Sequence, residues 1–159
     1  GVNQQLIAYY FGGKQGVLDE LRRRWAATQA GLVAPDASFA ASLAAYLDAT
    51  LDRPDWARLV IWRALGDDPG EDDQADEAQR HRLQAGLERV RARQRAGELT
   101  DEVSAEFVTL LAHAIAFAPI ALPHIVQDVL GVDPYSSQYR EMCREQLLTL
   151  LRPARGATA

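Results

Sequence analysis

Residues 107–126 contain no Asp, Glu, Lys or Arg, and this strongly limits what the chain can fold into. Pro119, Pro123 and two histidines interrupt the stretch, which argues against a membrane span of about 20 apolar residues. Within it, residues 107–118 have the composition of a helix that is apolar all round, with one threonine and His113 as its polar residues. Such a helix must be covered on every side. The sequence therefore predicts a buried helix followed by a kinked connection.

The remaining residues also show helical spacing, punctuated by glycine and proline, and no strand pattern. Phe39, Leu43, Leu47 and Leu51 recur every fourth residue and form an amphipathic stripe. Residues 54–65 leave little polar face, so we expect that helix to be central. The sequence predicts an all-α fold of seven to eight helices, over residues 2–11, 14–30, 39–51, 54–65, 71–96, 104–118, 123–131 and 137–151.

The length of 159 residues fits one domain, or one domain with a small appendage. The net charge of −5 by itself disfavours nucleic acid, because DNA affinity rests mainly on phosphate neutralisation. The charge is unevenly spread, however: residues 1–24 carry four bases against two acids, and the acidity lies downstream. This distribution suits a small DNA-binding head on a larger acidic body. The single cysteine, Cys143, and the lack of a signal peptide favour the cytoplasm.

The sequence offers no motif for catalysis. It has no nucleophile motif, no glycine-rich phosphate loop and no paired-carboxylate pattern. His124 and Asp128 are spaced as neighbours on a helix, but two ligands do not make a metal site. We therefore expect a protein that is not an enzyme and that needs no cofactor or metal.

The opening residues, GVNQQLIAYYFGGKQGVL, carry most of the functional information. Asn3, Gln4 and Gln5 crowd the first turn of a short predicted helix, whose apolar edge ends in an aromatic run. Asn and Gln donate and accept at once, so they can bind adenine through two hydrogen bonds in the major groove. The first turn of the second helix is the part of a helix-turn-helix that reaches the bases. This segment therefore has the features of a recognition helix.

The same eighteen residues resemble the TetR/AcrR family of bacterial repressors. The shared pattern is a recognition helix that runs into an aromatic pair, a Phe, a tight turn and a Lys that opens the next helix. The resemblance implies that Asn3, Gln4 and Gln5 read bases and that Tyr9 and Lys14 contact phosphates. It also implies that Val2, Ile7, Tyr10 and Phe11 hold the recognition helix against its neighbours.

This sequence departs from the family pattern at three points. Ala8 stands where many members have Tyr, and Gly13 replaces a frequent Ser. Family members also carry two helices before this segment, so we expect residues 1–159 alone not to bind DNA specifically. The resemblance divides the chain into the remainder of a truncated helix-turn-helix head, residues 1–30, and a ligand-binding and dimerisation domain, residues 36–152.

For the body, the resemblance implies a homodimer that joins through helices at about 104–118 and 137–151; a plain internal core is the alternative. It also implies a pocket for a small-molecule effector between the central helices. The expected function is a repressor released by that effector from a palindromic operator on double-stranded DNA. The alternative is a helical dimeric ligand-binding module without DNA binding. The pocket candidates, which are also compatible with ordinary core packing, are Trp56, Trp62, Phe107, His113, Phe117 and Tyr135.

Overall fold

The computed structural model describes residues 36–65 and 73–153, with isolated positions 9, 10, 12, 16, 17, 20 and 34. The two long described ranges contain helices and no strand, which confirms the all-α fold. Of the seven to eight predicted helices, those over residues 2–11 and 14–30 lie almost wholly outside the described residues. The other six are α1 (Phe39–Asp52), α2 (Pro54–Ala64), α3 (Asp73–Arg95), α4 (Ala105–Ala121), α5 (Pro123–Leu130) and α6 (Ser137–Leu150).

Helix α4 occupies the centre of the described fold, where it packs against α1, α2, α3 and α5. The expectation that residues 54–65 form the central helix is therefore wrong. Helix α2 lies beside α4 and leaves Val60 and Trp62 exposed. The prediction rested on the apolar composition of α2. Composition alone does not show how many other helices pack against a given helix.

Among the described residues, two apolar clusters form the core. The stripe predicted on α1 is confirmed: Phe39, Leu43, Leu47 and Leu51 are all buried. The larger cluster joins α1, α3, α4 and α6, and the smaller one joins the end of α1 to α5 and the start of α6. The larger contains Phe39, Leu43, Leu47, Val90, Leu99, Ala105, Val108, Ala116, Leu147 and Leu151, and the smaller contains Leu51, Val126, Val132 and Tyr139.

Local sequence signals set several helix ends. Ser38, Ser104 and Ser136 each accept a hydrogen bond at 3.2 Å from the backbone N–H three residues later, which satisfies one otherwise unpaired donor. Ser104 in this way caps the helix that the sequence predicts over residues 104–118. Gly97 and Gly131 adopt left-handed φ angles of 72° and 68° just after α3 and α5, where only glycine avoids a steric cost.

Helix α4 does not end at Ala118, as the sequence predicts, but continues through Pro119 to Ala121. A proline inside a helix has no N–H to donate to the carbonyl four residues earlier, here that of Ile115. The hydroxyl of Tyr139 donates to that carbonyl at 2.6 Å instead. The chain then turns sharply, and α4 and α5 meet at 103°.

Candidate functional site

Polar side chains interrupt the apolar contact between α1 and α4. Tyr46 and Thr50 lie one turn apart on α1, and Thr109 and His113 one turn apart on α4. The rings of Tyr46 and His113 lie 5.2 Å apart between centroids, and Thr50 is 0% exposed. We call these four residues the polar seam. Sequence analysis singled out His113 but not Tyr46, because a tyrosine inside an apolar stripe has the same spacing as a core residue.

His113 is held in one orientation by its own helix. Its Nδ1 lies 2.8 Å from the carbonyl oxygen of Thr109. Because a carbonyl oxygen can only accept, Nδ1 must carry the proton, and in the neutral ring this leaves Nε2 as an acceptor. The seam therefore holds an imidazole with a defined tautomer beside a phenol.

The two threonines of the seam donate to their own helices. The Thr50 hydroxyl donates to the Tyr46 carbonyl at 2.7 Å, and the Thr109 hydroxyl donates to the Ala105 carbonyl at 2.8 Å. Burial raises the pKa of the Tyr46 phenol far above its ordinary value, against a smaller opposing effect of Thr50. Burial therefore keeps the Tyr46 phenol in its neutral form.

The six pocket candidates are dispersed in the structure. Phe117 packs against the larger core cluster and Tyr135 against the smaller one. Trp62 and Phe107 have exposed side chains, Trp56 is half-buried on α2, and His113 lies in the polar seam. None of the six lines the cleft of about 180 Å³ that the described residues form. That cleft is lined by Asp36, Ala37, Arg89, Ala92, Arg93, Ala96 and Glu98.

Arg93, in this cleft, ties the end of α3 to the start of α1. Its Nη2 donates to the Ala37 carbonyl and to the Ser42 hydroxyl, both at 2.6 Å, and its Nε lies 3.6 Å from the Glu98 carboxylate. Glu98 in turn accepts from the Phe39 N–H at 2.5 Å. Burial lowers the pKa of Arg93, and the Glu98 charge opposes that effect. The guanidinium is therefore a structural link between α3 and the residues through which the chain enters the body.

One side of α4 is apolar and open to solvent, although the sequence predicts a helix covered all round. Phe107, Leu110, Ala114 and Ala121 are exposed at helical spacing, with Leu110 64% exposed. We call these four residues the open face. The expectation of complete burial is wrong for the single chain, because its other helices cover only the opposite sides of α4. Leu150, at the end of α6, is also exposed.

The proposed DNA contacts fall mostly outside the described residues, which include neither Asn3, Gln4 and Gln5 nor Lys14. Tyr9 is described: it is helical and 82% exposed. Its ring lies edge-on to that of Tyr10, with centroids 5.1 Å apart. Tyr10, which we expect to anchor the helix, is exposed as well.

Over residues 36–65 and 73–153, no three His, Cys, Asp or Glu side chains are grouped as metal ligands would be. No single helix in these ranges is long and apolar enough to cross a membrane, although the bent pair α4–α5 passes the same test of length and composition.

Comparison with known families identifies the type of domain that forms the body of the chain. The family model described as the tetracyclin repressor-like, C-terminal domain matches residues 39–149. The match begins at the first residue of α1 and ends one residue before the end of α6, so it spans all six described helices. Comparison with curated proteins gave no match. Because the matched region covers well over half of the sequence, the chain belongs to the TetR family of regulators.

Proposed function

We propose that this protein is a dimeric transcription repressor that a small molecule releases from a palindromic operator. One observation carries the proposal: a TetR-type C-terminal domain follows, in the same chain, an opening segment with three amides on the first turn of a predicted recognition helix. Residues 1–30 then belong to the DNA-binding head, and residues 36–152 form the ligand-binding and dimerisation body.

In the DNA complex, Asn3, Gln4 and Gln5 read base edges while Tyr9 and Lys14 hold phosphates. Lys14 opens the next predicted helix, where the backbone N–H groups also favour a phosphate. The exposure of Tyr9 supports its role, because a phosphate contact needs a free hydroxyl.

A dimer would cover the open face of α4 with α4 and α6 of a second copy. Large contiguous apolar patches are rare on monomeric proteins and mark interaction sites. The alanines of the face allow a partner helix to come close, while Phe107 and Leu110 supply apolar area. A two-fold dimer would place two recognition helices about 34 Å apart, or a multiple of it, on a palindromic operator.

The effector would bind between the central helices and contact the polar seam. Apolar walls with a few well-placed polar groups are typical of small-molecule sites. His113 Nε2 as acceptor and the Tyr46 hydroxyl as donor favour an uncharged ligand with both kinds of group. Five further side chains remain pocket candidates: Trp56, Trp62, Phe107, Phe117 and Tyr135. Phe107 would also lie in the proposed dimer interface.

Release requires that the effector bind one conformation of the body more tightly than the other. Arg93 could transmit a movement of α3 to the DNA-binding head, because it connects α3 to Ala37. Ala37 lies where the head segment joins the body. A shift of α3 on effector binding would therefore move the chain that leads to the recognition helices.

A gel-shift titration of the full-length gene product against its own upstream DNA tests the DNA-binding role. We expect a sequence-specific complex at low salt. Lys14→Gln should weaken binding to all sequences and lower the slope of log affinity against log salt by about 1. Gln4→Ala should relax discrimination between operator and mutated operator. No shift at low salt would contradict the proposal and favour the ligand-binding module without DNA binding.

Thermal unfolding with a panel of uncharged aromatic amides and phenols tests the effector site. A ligand present at 100 times its dissociation constant stabilises the folded protein by about 2.7 kcal/mol. His113→Phe should remove most of that stabilisation. The matched control is His124→Phe, because His124 lies exposed on α5 outside the seam. Equal loss in both variants would exclude a contact at the seam.

A further inference from the structure

We propose that α5 belongs to the surface through which two copies of this chain associate, so that the bend between α4 and α5 is buried in the dimer. The inference rests on the proposed dimer, and extends it beyond α4 and α6 to a helix that the sequence did not implicate. Its occupant is a second copy of this chain.

Helix α5 carries an apolar stripe that the described part of the chain leaves exposed. The stripe consists of Leu122, the residue just before the helix, and of Ile125 and Val129 on one side of it, and each is more than half exposed. Val129 reaches 74% exposure. On its inner side α5 is anchored by Val126, which is buried in the smaller core cluster. The stripe therefore faces solvent on a helix that is held to the core through Val126.

The stripe follows the open face of α4 directly in sequence. The open face ends at Ala121, and the stripe begins at the next residue, Leu122, where the chain bends by 103°. A partner that lies along α4 as far as Ala121 therefore reaches the start of the stripe. Two exposed apolar stretches of the chain thus adjoin at the bend.

The large apolar side chains exposed on α4 and at the end of α6 present less area than a standard interface buries. Phe107, Leu110 and Leu150 each expose more than half of a large side chain, on the order of 100 Å² apiece. A standard protein interface buries about 800 Å² on each partner. The three large side chains of the α5 stripe roughly double the large apolar area that a second copy can cover.

The charge pattern favours a second copy over a polyanion. Residues 96–139 contain no Lys or Arg, while Glu98, Asp101, Glu102, Glu106, Asp128 and Asp133 lie among them. Nucleic acids and anionic lipid surfaces bind through neutralisation of phosphates by basic side chains. This region has none to offer, whereas an uncharged stripe is complementary to itself across a two-fold axis.

Sedimentation velocity of the full-length protein over a range of concentrations tests the inference. The double variant Ile125→Lys/Val129→Lys should raise the dimer dissociation constant by about tenfold or more, because two charges would be buried against apolar surface. Gln127→Lys is the matched control, since Gln127 is exposed on the side of α5 opposite the stripe. It should leave the dissociation constant within about twofold, a difference worth well under the 1.4 kcal/mol of a tenfold change.

Leu110→Lys separates this inference from the proposal on which it rests. If Leu110→Lys gives monomers while the α5 double variant dimerises like the wild type, α5 lies outside the interface and the inference fails alone. A wild-type protein that stays monomeric overturns both the dimer and the role of α5. If the α5 double variant weakens the dimer but the wild-type protein binds no operator, the inference is supported and the proposed repressor function is contradicted.

Hydrogen exchange tests the inference on the wild-type protein, so the result does not depend on whether a variant folds. In the wild type, backbone amides of residues 123–130 should exchange several-fold more slowly above the dimer dissociation constant than below it. Unchanged exchange in α5, with slower exchange in α4, would overturn the inference.

Discussion

The hydroxyl of Tyr139 donates a hydrogen bond at 2.6 Å to the carbonyl oxygen of Ile115, 24 residues earlier in the chain. That carbonyl would normally accept the N–H of residue 119, but residue 119 is a proline. Tyr139 is 2% exposed and Pro119 is buried as well, so water has little access to the unpaired carbonyl. Helix α6 thus completes the hydrogen bonding of α4 at the place where α4 cannot do so itself.

Replacement of the Tyr139 hydroxyl should destabilise the fold. Tyr139→Phe leaves the Ile115 carbonyl buried without a partner, and we expect a loss of about 1–3 kcal/mol in the free energy of unfolding. Urea unfolding followed by circular dichroism measures this loss. Tyr135→Phe is the control, because Tyr135 packs against the same cluster but is only partly buried. Equal effects of the two variants would contradict the role of the Ile115 carbonyl.

Restoration of the missing N–H should make the Tyr139 hydroxyl less important. Pro119→Ala supplies a backbone donor to the Ile115 carbonyl, so Tyr139→Phe should cost about 1 kcal/mol less in the Pro119→Ala background than in the wild type. A double-mutant cycle on the free energies of unfolding measures this coupling. Additive effects would show that Pro119 and Tyr139 act independently.

The protein should lose stability in alkali. Burial raises the pKa of Tyr46 and of Tyr139 above the ordinary tyrosine value of about 10. A smaller effect of Thr50 opposes the rise at Tyr46, and Cys143 adds to the rise at Tyr139. Since the folded pKa exceeds the unfolded one, the stabilisation is fully present below pH 10 and is lost as the pH rises above it. Each tyrosine should then lower the free energy of unfolding by about 1.4 kcal/mol per pH unit.

Thermal unfolding between pH 8 and pH 11.5 measures that loss. In Tyr139→Phe the free energy of unfolding should fall less steeply with pH, by the contribution of one tyrosine. A flat profile above pH 10 in the wild type would show that neither phenol is kept from ionising by the fold.

Arg140 should contribute more to stability than its neighbour Arg144 on the same helix. Arg140 of α6 donates to Asp48 at 2.8 Å and to Asp52 at 2.6 Å, and so ties α6 to α1. Burial lowers the pKa of Arg140, but the two carboxylates outweigh that effect and raise it. Arg140→Gln should cost about 1 kcal/mol, less in high salt, because the carboxylates are half exposed.

Arg144→Gln is the matched control for Arg140. Arg144 pairs with Glu141 one turn away on the same helix and therefore joins no two elements. Chemical unfolding at low and high salt should show no measurable effect of Arg144→Gln. If Arg140→Gln also leaves the free energy of unfolding unchanged, the contact between α6 and α1 does not depend on the ion pairs of Arg140 with Asp48 and Asp52.

Two glycines near the end of α3 should respond in opposite directions to the same substitution. Gly97 has a φ of 72°, which an L side chain adopts at a cost, so Gly97→Ala should destabilise by about 1 kcal/mol. Gly86 lies inside α3, and an added Cβ would meet its nearest neighbour, the Arg89 side chain, at 3.9 Å. Gly86→Ala should therefore stabilise by about 0.5–1 kcal/mol. Melting temperatures of both variants check the signs, and a common sign would contradict this account of α3.

Local signals were sufficient to predict much of the fold. The four-residue stripe on α1, the serine N-cap of α4 and the glycine after α3 depend on residues within one or two turns of one another. Such short-range effects can be inferred from sequence because they involve the same few residues in any helical fold. The opening segment carries a local signal of the same kind, and its role as a DNA reader stays a prediction.

Only the tertiary structure decided the features that depend on distant residues. Pro119 looked like the end of a helix until Tyr139 was seen to bind the Ile115 carbonyl. His113 gained a ring partner only because α1 places Tyr46 beside it. Apolar residues on α4 and α5 look the same in sequence whether covered or open, because periodicity records which residues share a face but not what packs against it. Long-range packing therefore determined which faces of this protein remain free to bind.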